Sequence, residues 1–176
     1  VAGIGTGGTL SGAGKFLKEK IPGLKNIAVD PIGSVFHDIF KTGKIPVPHP
    51  YKVEGIGEDM ATQAMDFSVV DDIIQVNDRD CFLTTRELTR KEGLFAGGSS
   101  GGAVWAALKV AENAKPDDVI IVILPDSGGR YLSKIFNDGW MIDNEFMVED
   151  GFDSEVSELL RADRMNPVVI NSDSSI

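Results

Sequence analysis

The strongest constraint on the fold is a local pattern that the sequence repeats: an apolar segment, then a loop rich in glycine, then a segment of helical character. Three such loops, GTGGT, AGGSSGG and PDSGGR, occur between residues 5 and 130. The apolar segments lie at 1–4, 26–29, 73–76 and 119–124. This alternation predicts an α/β fold in which a parallel twisted sheet is flanked by helices. The loops then gather at the carboxyl ends of the strands, where open sheets bind ligands.

Two of the apolar segments carry further information about the sheet. The run 119–124 consists of Val, Ile and Leu, so it predicts a strand that is buried on both faces. The segment 26–29 runs into Asp30-Pro31, and proline cannot continue a central strand because it lacks the N–H group that the ladder needs. We therefore expect a second parallel strand that ends at Asp30-Pro31.

Helices are predicted from their start and stop signals. The segment 10–20 has helical character and is followed by Pro22-Gly23, which ends a helix. Asn77 can cap a helix over 78–92, and Gly93 follows as its stop. Further helical stretches are predicted at 35–40, 103–114 and 131–136.

Charge and composition exclude several classes of protein. The net charge is −10 and the richest basic stretch has only four lysines, between residues 15 and 25, which argues against binding to nucleic acid. The sequence has neither a run of 18 apolar residues nor a signal peptide at its start, so we expect no membrane association. A single cysteine, Cys81, suits a reducing compartment. These features predict a cytoplasmic protein.

The first glycine loop, Gly5 to Thr9, has the features of an anion site. Its three glycines let backbone N–H groups surround an anion, its threonines add hydroxyl donors, and the following helix directs its positive end to the same place. Phosphate is the ligand that fits these donors best. The loop is not a Walker A motif, and the GxGxxG spacing of Gly3, Gly5 and Gly8 is weak support by itself. A tight turn that needs small residues is the structural alternative.

The other two loops offer polar side chains. Ser99 and Ser100 follow Gly97-Gly98 at the start of a predicted helix, where a serine can either cap the helix or present a neutral hydroxyl to a bound ring or anion. Asp126 follows the run 119–124 directly. Its side chain is therefore expected at the ligand edge of the sheet, with a simple turn as the alternative.

The remaining reactive residues give no second site. His37 and His49 lie in a proline-rich stretch without an acid or cysteine at ligand spacing, so both are expected at the surface. Cys81 has no histidine or lysine neighbour in sequence, which favours a half-buried structural thiol over a nucleophile. We predict no metal site.

Taken together, four motifs resemble those of the fold type II pyridoxal-phosphate enzymes, whose fold is that of the tryptophan synthase β subunit. They are GTGGT at 5–9, VEGIGED at 53–59, GGSSGG at 97–102 and ILPDSGGRYLSKIFNDGWM at 123–141. The resemblance extends over residues 1–146. Within this class it is to the cysteine synthase/cystathionine β-synthase family, and there to the bacterial type of its cystathionine-forming branch.

The resemblance implies a role for individual residues around pyridoxal 5′-phosphate. Ser99 would bond to the pyridine nitrogen and Asp126 would lie beside the ring. A neutral serine does not keep that nitrogen protonated, and such a ring suits β-elimination and β-replacement. The loop with Glu54, Gly55 and Gly57 would approach the amino-acid substrate. The cofactor phosphate would be held by Gly5, Thr6, Gly7, Gly8 and Thr9.

The activity implied is that of a lyase that joins serine, or an activated serine, to homocysteine to form cystathionine in transsulfuration and cysteine metabolism. The resemblance also implies a homodimer or tetramer. Two alternatives stay open. One is a cysteine synthase, which uses O-acetylserine and sulfide. The other is a noncatalytic module that binds a phosphate metabolite or a nucleotide.

The resemblance further predicts that the chain is a piece of a longer enzyme, since it starts at Val1 and reaches a cofactor loop by Gly5. In the family, the Schiff-base lysine lies upstream of that loop, so no catalytic residue is assigned here and the piece alone is expected to be inactive. Residues 1–146 would be the C-terminal part of the catalytic domain. Residues 147–176, with a net charge of −5, would be an acidic linker and the start of a truncated Bateman-type regulatory module. An acidic binding tail is the alternative.

Overall fold

A parallel sheet of three strands forms the centre of the structure, a computed structural model that describes residues 1–148. The strands are β1 (Ala2–Gly3), β2 (Ile27–Pro31) and β3 (Asp72–Val76), in the order β1-β2-β3. Ala28 pairs with Ala2 on one side and with Ile73 on the other. The predicted α/β fold with a parallel sheet is confirmed.

The second strand ends at Pro31, as expected. β2 is the central strand of the described sheet, and Pro31 is its last residue, in register with Val76. Amides alternate in direction along a strand, and the next amide, Ile32 N, donates to Val76 O at 2.9 Å. The missing N–H of Pro31 therefore points to the β1 side, where β1 has already ended at Gly3. No ladder bond is lost, so proline is tolerated there.

Helices cover both faces of the sheet. They are α1 (Gly8–Lys20), α2 (Phe36–Thr42), α3 (Asp78–Glu92), α4 (Gly98–Ala111) and α5 (Asp138–Asp143), with 3-10 turns at Phe67–Val69 and Gly128–Tyr131. Because successive strand residues face opposite sides, Ala28 and Val29 lie in different cores. Val29 packs with Phe82 of α3, whereas Ala28 packs with Leu10 of α1.

The helix predicted over 78–92 is confirmed together with its ends. Asn77 caps α3, since its side-chain oxygen accepts a hydrogen bond from Asp80 N at 2.8 Å. At the other end Gly93 N donates to Thr89 O at 3.1 Å. Local signals were sufficient here because the capping residues and the helix lie next to each other in the chain.

Two other helix predictions are corrected. α4 begins at Gly98, five residues before the predicted start at Ala103, so the second glycine segment is mostly helix and not loop. The predicted helix over 131–136 is absent among the described residues, where a 3-10 turn at Gly128–Tyr131 takes its place. Glycine is a poor helix former in isolation, and the packing of α4 against α3 overrides that preference.

The prediction of a doubly buried strand at 119–124 is wrong. Two hydrogen bonds join this segment to Val1, from Val1 N to Ile121 O at 2.8 Å and from Ile123 N to Val1 O at 3.1 Å. Val119 and Ile121 are 84% and 73% exposed. The segment borders β1, at the edge of the described sheet, and among residues 1–148 no neighbour covers these side chains. An apolar sequence shows that a strand can be buried, but burial also requires another part of the molecule that packs against it.

Within the described residues, no helix is long and apolar enough to cross a membrane. The predicted boundary between 1–146 and 147–176 lies at the end of the described range. Residues 149–176 lie outside it, so the acidic linker and the regulatory module stay predictions.

Candidate functional site

A cleft of about 170 Å³ opens at the carboxyl end of β1. It brings together three features that are far apart in sequence: the first glycine loop, Gly55 and Ser99. Ile123 and Pro125 complete its edge. Its remaining lining residues are Ala2, Gly3, Ile4, Leu10 and Ile56. The prediction that ligand-binding loops meet at the strand ends holds for this cleft.

The first glycine loop turns directly into α1, which begins at Gly8. Ser11 N donates to Gly7 O at 2.9 Å, so the amides of residues 8–10 precede the first intrahelical bond. Among the described residues no side chain caps this end. Unpaired amides at the positive end of a 13-residue helix form an anion site. The loop therefore supports the predicted phosphate role.

Gly7 explains why this turn needs glycine. Its φ of 91° lies in the left-handed region, which side chains with a β-carbon rarely adopt. A β-carbon at this position would also lie only 2.7–2.8 Å from atoms of Met65. The structural alternative, a tight turn that needs small residues, is thus confirmed at Gly7, while anion binding by the loop stays a prediction.

Gly55 and Ile56 line the cleft together with the first glycine loop, and Gly57, which follows them, lies outside the lining. Gly57 N donates a hydrogen bond of 2.6 Å to Ile4 O, just before the first loop. Gly55 has a φ of 85°, and a β-carbon there would lie 3.9 Å from the Ser99 hydroxyl oxygen. Glycine at 55 keeps the path between the loop and Ser99 free of side chains.

Ser99 lies in the cleft as the second residue of α4 and is 2% exposed. The N-cap of α4 is Gly97, and no described side chain caps this helix, so the capping interpretation of Ser99 and Ser100 is wrong. Ser100 is also fully buried, and its hydroxyl has no hydrogen-bond partner among the described residues. Only Ser99 of the two lines the cleft.

Asp126 lies behind the cleft, against the start of α4. One carboxylate oxygen accepts a hydrogen bond from the Tyr131 hydroxyl at 2.7 Å, and the other is buried without a partner in the described part of the chain. A β-carbon at Gly97 would overlap this carboxylate. Burial and the Asp126 carboxylate raise the pKa of Tyr131, so its hydroxyl stays a proton donor. Sequence reasoning missed Tyr131, although its spacing of five residues from Asp126 was visible.

Glu54 lies next to the cleft wall and not in its lining. Its carboxylate forms an ion pair with Lys134, another residue that sequence reasoning missed. Both side chains are about half exposed, so solvent screens the pair and its contribution to stability is small. Its structural effect is to connect the segment before Gly55 with the chain that follows Tyr131.

Cys81, His37 and His49, for which no functional role is predicted, lie outside the cleft lining. Cys81 is fully buried, where a half-buried position was expected, and burial raises its pKa, so it stays a thiol. His49 is exposed, whereas His37 is half-buried and contacts Asp38 at 2.9 Å. Within residues 1–148 no cluster of acidic, histidine and cysteine side chains could hold a metal ion.

Pyridoxal phosphate fits this arrangement chemically. One end of the cleft offers free amides to an anion, and its wall offers one neutral, almost fully buried hydroxyl at Ser99. Between them the lining is mostly backbone and aliphatic, which suits a flat ring.

Comparisons with known proteins identify the family of the chain. Residues 1–126 match the family model described as "Pyridoxal-phosphate dependent enzyme", so the chain belongs to this family of cofactor-dependent enzymes. Named relatives place it further, with similarity to proteins called cystathionine beta-synthase and cysteine synthase. The predicted family resemblance and cofactor are confirmed.

Three relatives show the range of that similarity. Cystathionine beta-synthase of Rattus norvegicus is 44% identical over 150 residues, which is 85% of this chain and 27% of the relative. O-acetylserine dependent cystathionine beta-synthase of Bacillus subtilis is 42% identical over 139 residues, 79% of this chain and 43% of the relative. Cysteine synthase of Buchnera aphidicola is 42% identical over 137 residues, 76% of this chain and 43% of the relative. The chain thus spans between a quarter and a half of these relatives.

Proposed function

We propose that this chain supplies the phosphate cradle, the ring-nitrogen contact and part of the substrate pocket of a lyase that forms cystathionine. Serine or an activated serine would be the donor and homocysteine the acceptor. The observation that carries the proposal is the single cleft in which the first glycine loop, Gly55 and Ser99 meet. Relatives named cystathionine beta-synthase at 42–44% identity support the choice of acceptor.

Residues at different positions in the cleft have different proposed roles. The amides at the start of α1 hold the phosphate and so anchor the cofactor at one end. The Ser99 hydroxyl contacts the ring nitrogen without charging it. When bound, the cofactor supplies the electron sink for β-replacement. Pro125 and Ile123 contribute apolar side chains to the cleft lining. The lysine that binds the cofactor covalently stays predicted upstream of Val1.

Gly55 and its neighbours form the proposed substrate side. A substrate amino acid would lie along the backbone of 55–57, where the absence of a side chain at 55 leaves room. Asp126 would act from behind the cleft, holding Tyr131 and the start of α4 in place. The complete enzyme would be a homodimer or tetramer in the cytoplasm, as the family resemblance implies.

Binding of pyridoxal phosphate to the 176-residue chain tests the cleft. Equilibrium dialysis is expected to show noncovalent binding, with no Schiff-base absorbance. Ser99→Ala should weaken binding about fivefold, because a net hydrogen bond contributes about 1 kcal/mol. Ser100→Ala is the matched control and should change the dissociation constant less than about twofold, since its hydroxyl has no partner among the described residues.

Two results would argue against this assignment. Equal effects of the two serine variants would remove Ser99 from the site. A lysine adduct at one defined position, with turnover, would show that the chain holds its own covalent anchor.

Cysteine synthase is the second candidate, favoured by the relative of that name at 42% identity. The complete enzyme separates the two activities when homocysteine and sulfide are compared as acceptors with serine and O-acetylserine as donors. A higher kcat/KM with homocysteine is expected. A strong preference for sulfide would replace the proposed activity with cysteine synthesis.

A further inference from the structure

Asp30 is a fully buried carboxylate to which the proposed function gives no role. One of its oxygens accepts a hydrogen bond from His37 N at 2.9 Å. The other, Oδ1, makes no hydrogen bond of ordinary geometry within the described residues. Burial raises the pKa of Asp30 to about 6. A buried carboxylate with an unsatisfied oxygen destabilises a fold, so its presence calls for an explanation in its surroundings.

The turn that follows Asp30, residues 34–37, connects this carboxylate to the cleft wall. Asp30 binds one end of the turn through His37 N, and Ser34 N donates to Pro31 O at 3.0 Å at the other end. The Ser34 hydroxyl oxygen accepts a hydrogen bond from Glu58 N at 3.0 Å. The backbone strengthens the connection, because Val35 N donates to Glu58 O at 3.1 Å.

The segment held in this way is one wall of the cleft. Glu58 directly follows Gly57, which donates to Ile4 O, and Ile4 precedes the first glycine loop. Gly55, which lies two residues before Gly57, lines the cleft together with that loop. The hydrogen bonds at Glu58 and Gly57 therefore set the separation of the two walls.

We infer that Asp30 is a positioning residue that, by binding the turn at residues 34–37, holds segment 55–58 against the first glycine loop and so sets the width of the cleft. This deepens the proposed function and rests on it for the identity of what the cleft binds. The placement itself is independent of any ligand.

Amide hydrogen exchange of the unliganded 176-residue chain at neutral pH tests the inference. Ser34→Ala should lower the protection of Glu58 N–H at least about tenfold, because it removes the acceptor of that amide. Asp30→Asn should lower it at least about threefold, because a neutral amide oxygen is a weaker acceptor for His37 N–H than a carboxylate and holds the turn less firmly. The amide resonances of Gly55 and Gly57 should shift in both variants. Amides in the middle of α3 should lose no protection, which shows that the variants fold.

Asp38→Asn is the matched control. Asp38 is the neighbouring acid on α2 and its side chain is about half exposed, so its variant should keep the protection of Glu58 within about twofold. Unchanged protection of Glu58 in both test variants, or an equal loss there and in α3, would overturn the inference. Since no ligand is present, these readouts stand or fall separately from the binding of pyridoxal phosphate.

Discussion

Two segments with nearly the same composition, GTGGT at 5–9 and GGSSGG at 97–102, use glycine for different physical reasons. In the first, a β-carbon at Gly8 would meet no atom within 4 Å. In the second, a β-carbon at Gly101 would overlap the Cys81 carbonyl oxygen and the Thr85 hydroxyl. The first segment leaves space for a ligand, whereas the second lets α4 pack closely on α3.

This difference shows what a glycine-rich motif can mean. The first segment keeps most of its residues outside regular structure, so its amides stay free for an anion. The second forms the N-cap and the first five residues of α4, and Ser100 N and Gly101 N both donate to Gly97 O. Its contribution to the cleft is one side chain, Ser99, which close packing of the helices holds in place. The first segment thus contributes backbone amides to the cleft, whereas the second contributes one positioned side chain.

The largest expected effect is a loss of stability when the close packing of the second segment is disrupted. Gly101→Ala should lower the free energy of unfolding by about 3 kcal/mol or more, because its β-carbon overlaps backbone of α3 that cannot move away without separating the helices. Urea denaturation followed by circular dichroism measures this. Gly12→Ala on α1, where a β-carbon meets nothing within 4 Å, is the control and should stabilise by up to about 1 kcal/mol. Similar values for both variants would contradict the packing role.

A second prediction concerns the wall that faces the first segment. The pKa of Asp30 is raised from 3.8 to about 6, so the folded state binds its proton more tightly than the unfolded chain does. Ionisation of Asp30 therefore lowers the free energy of unfolding. This loss of stability is absent below about pH 4, increases up to about pH 6 and reaches about 3 kcal/mol above that pH. The stability of Asp30→Asn minus that of the parent chain should therefore increase by up to this amount between pH 4 and pH 7.

Urea denaturation at a series of pH values measures that difference. His37, Asp38 and Tyr51 are titratable groups that interact with Asp30, and they are present in both proteins. Asp38→Asn should show a much smaller change over the same range. A difference between Asp30→Asn and the parent chain that does not vary with pH would show that Asp30 titrates normally.

The smallest expected effect tests whether the first segment binds the phosphate. Gly8→Ala should leave stability within about 1 kcal/mol of the parent, since the position is open and α1 begins there. It should weaken binding of pyridoxal phosphate about tenfold, because the added methyl group would occupy space that the phosphate uses, at a cost of about 1.4 kcal/mol. Equilibrium dialysis and urea denaturation on one preparation provide both values. Unchanged affinity would remove Gly8 from the phosphate site.

Sequence reasoning predicted the elements whose signals are local. Asn77 and Gly93 mark the ends of α3 because capping acts within a few residues. The parallel sheet and the meeting of loops at one edge followed from the alternation of elements. The predictions were wrong where contacts with distant residues decide the outcome. α4 extends over five glycine and serine positions because α3 is close. Val119, Ile121 and Ile123 are exposed because no described neighbour covers that side of the segment.

The sequence by itself determined the class of fold, the family and half of the residues that line the cleft, since these depend on local propensity and on motifs in a set order. Only the tertiary structure showed that Ser99 and not Ser100 lines the cleft, that Asp126 and Glu54 lie outside its lining, and that Asp30 and Glu58 bind the same turn, at His37 and at Ser34. Burial and hydrogen bonding join residues that are distant in the chain. Such pairings depend on the packed arrangement of the elements, which no local pattern of residues contains.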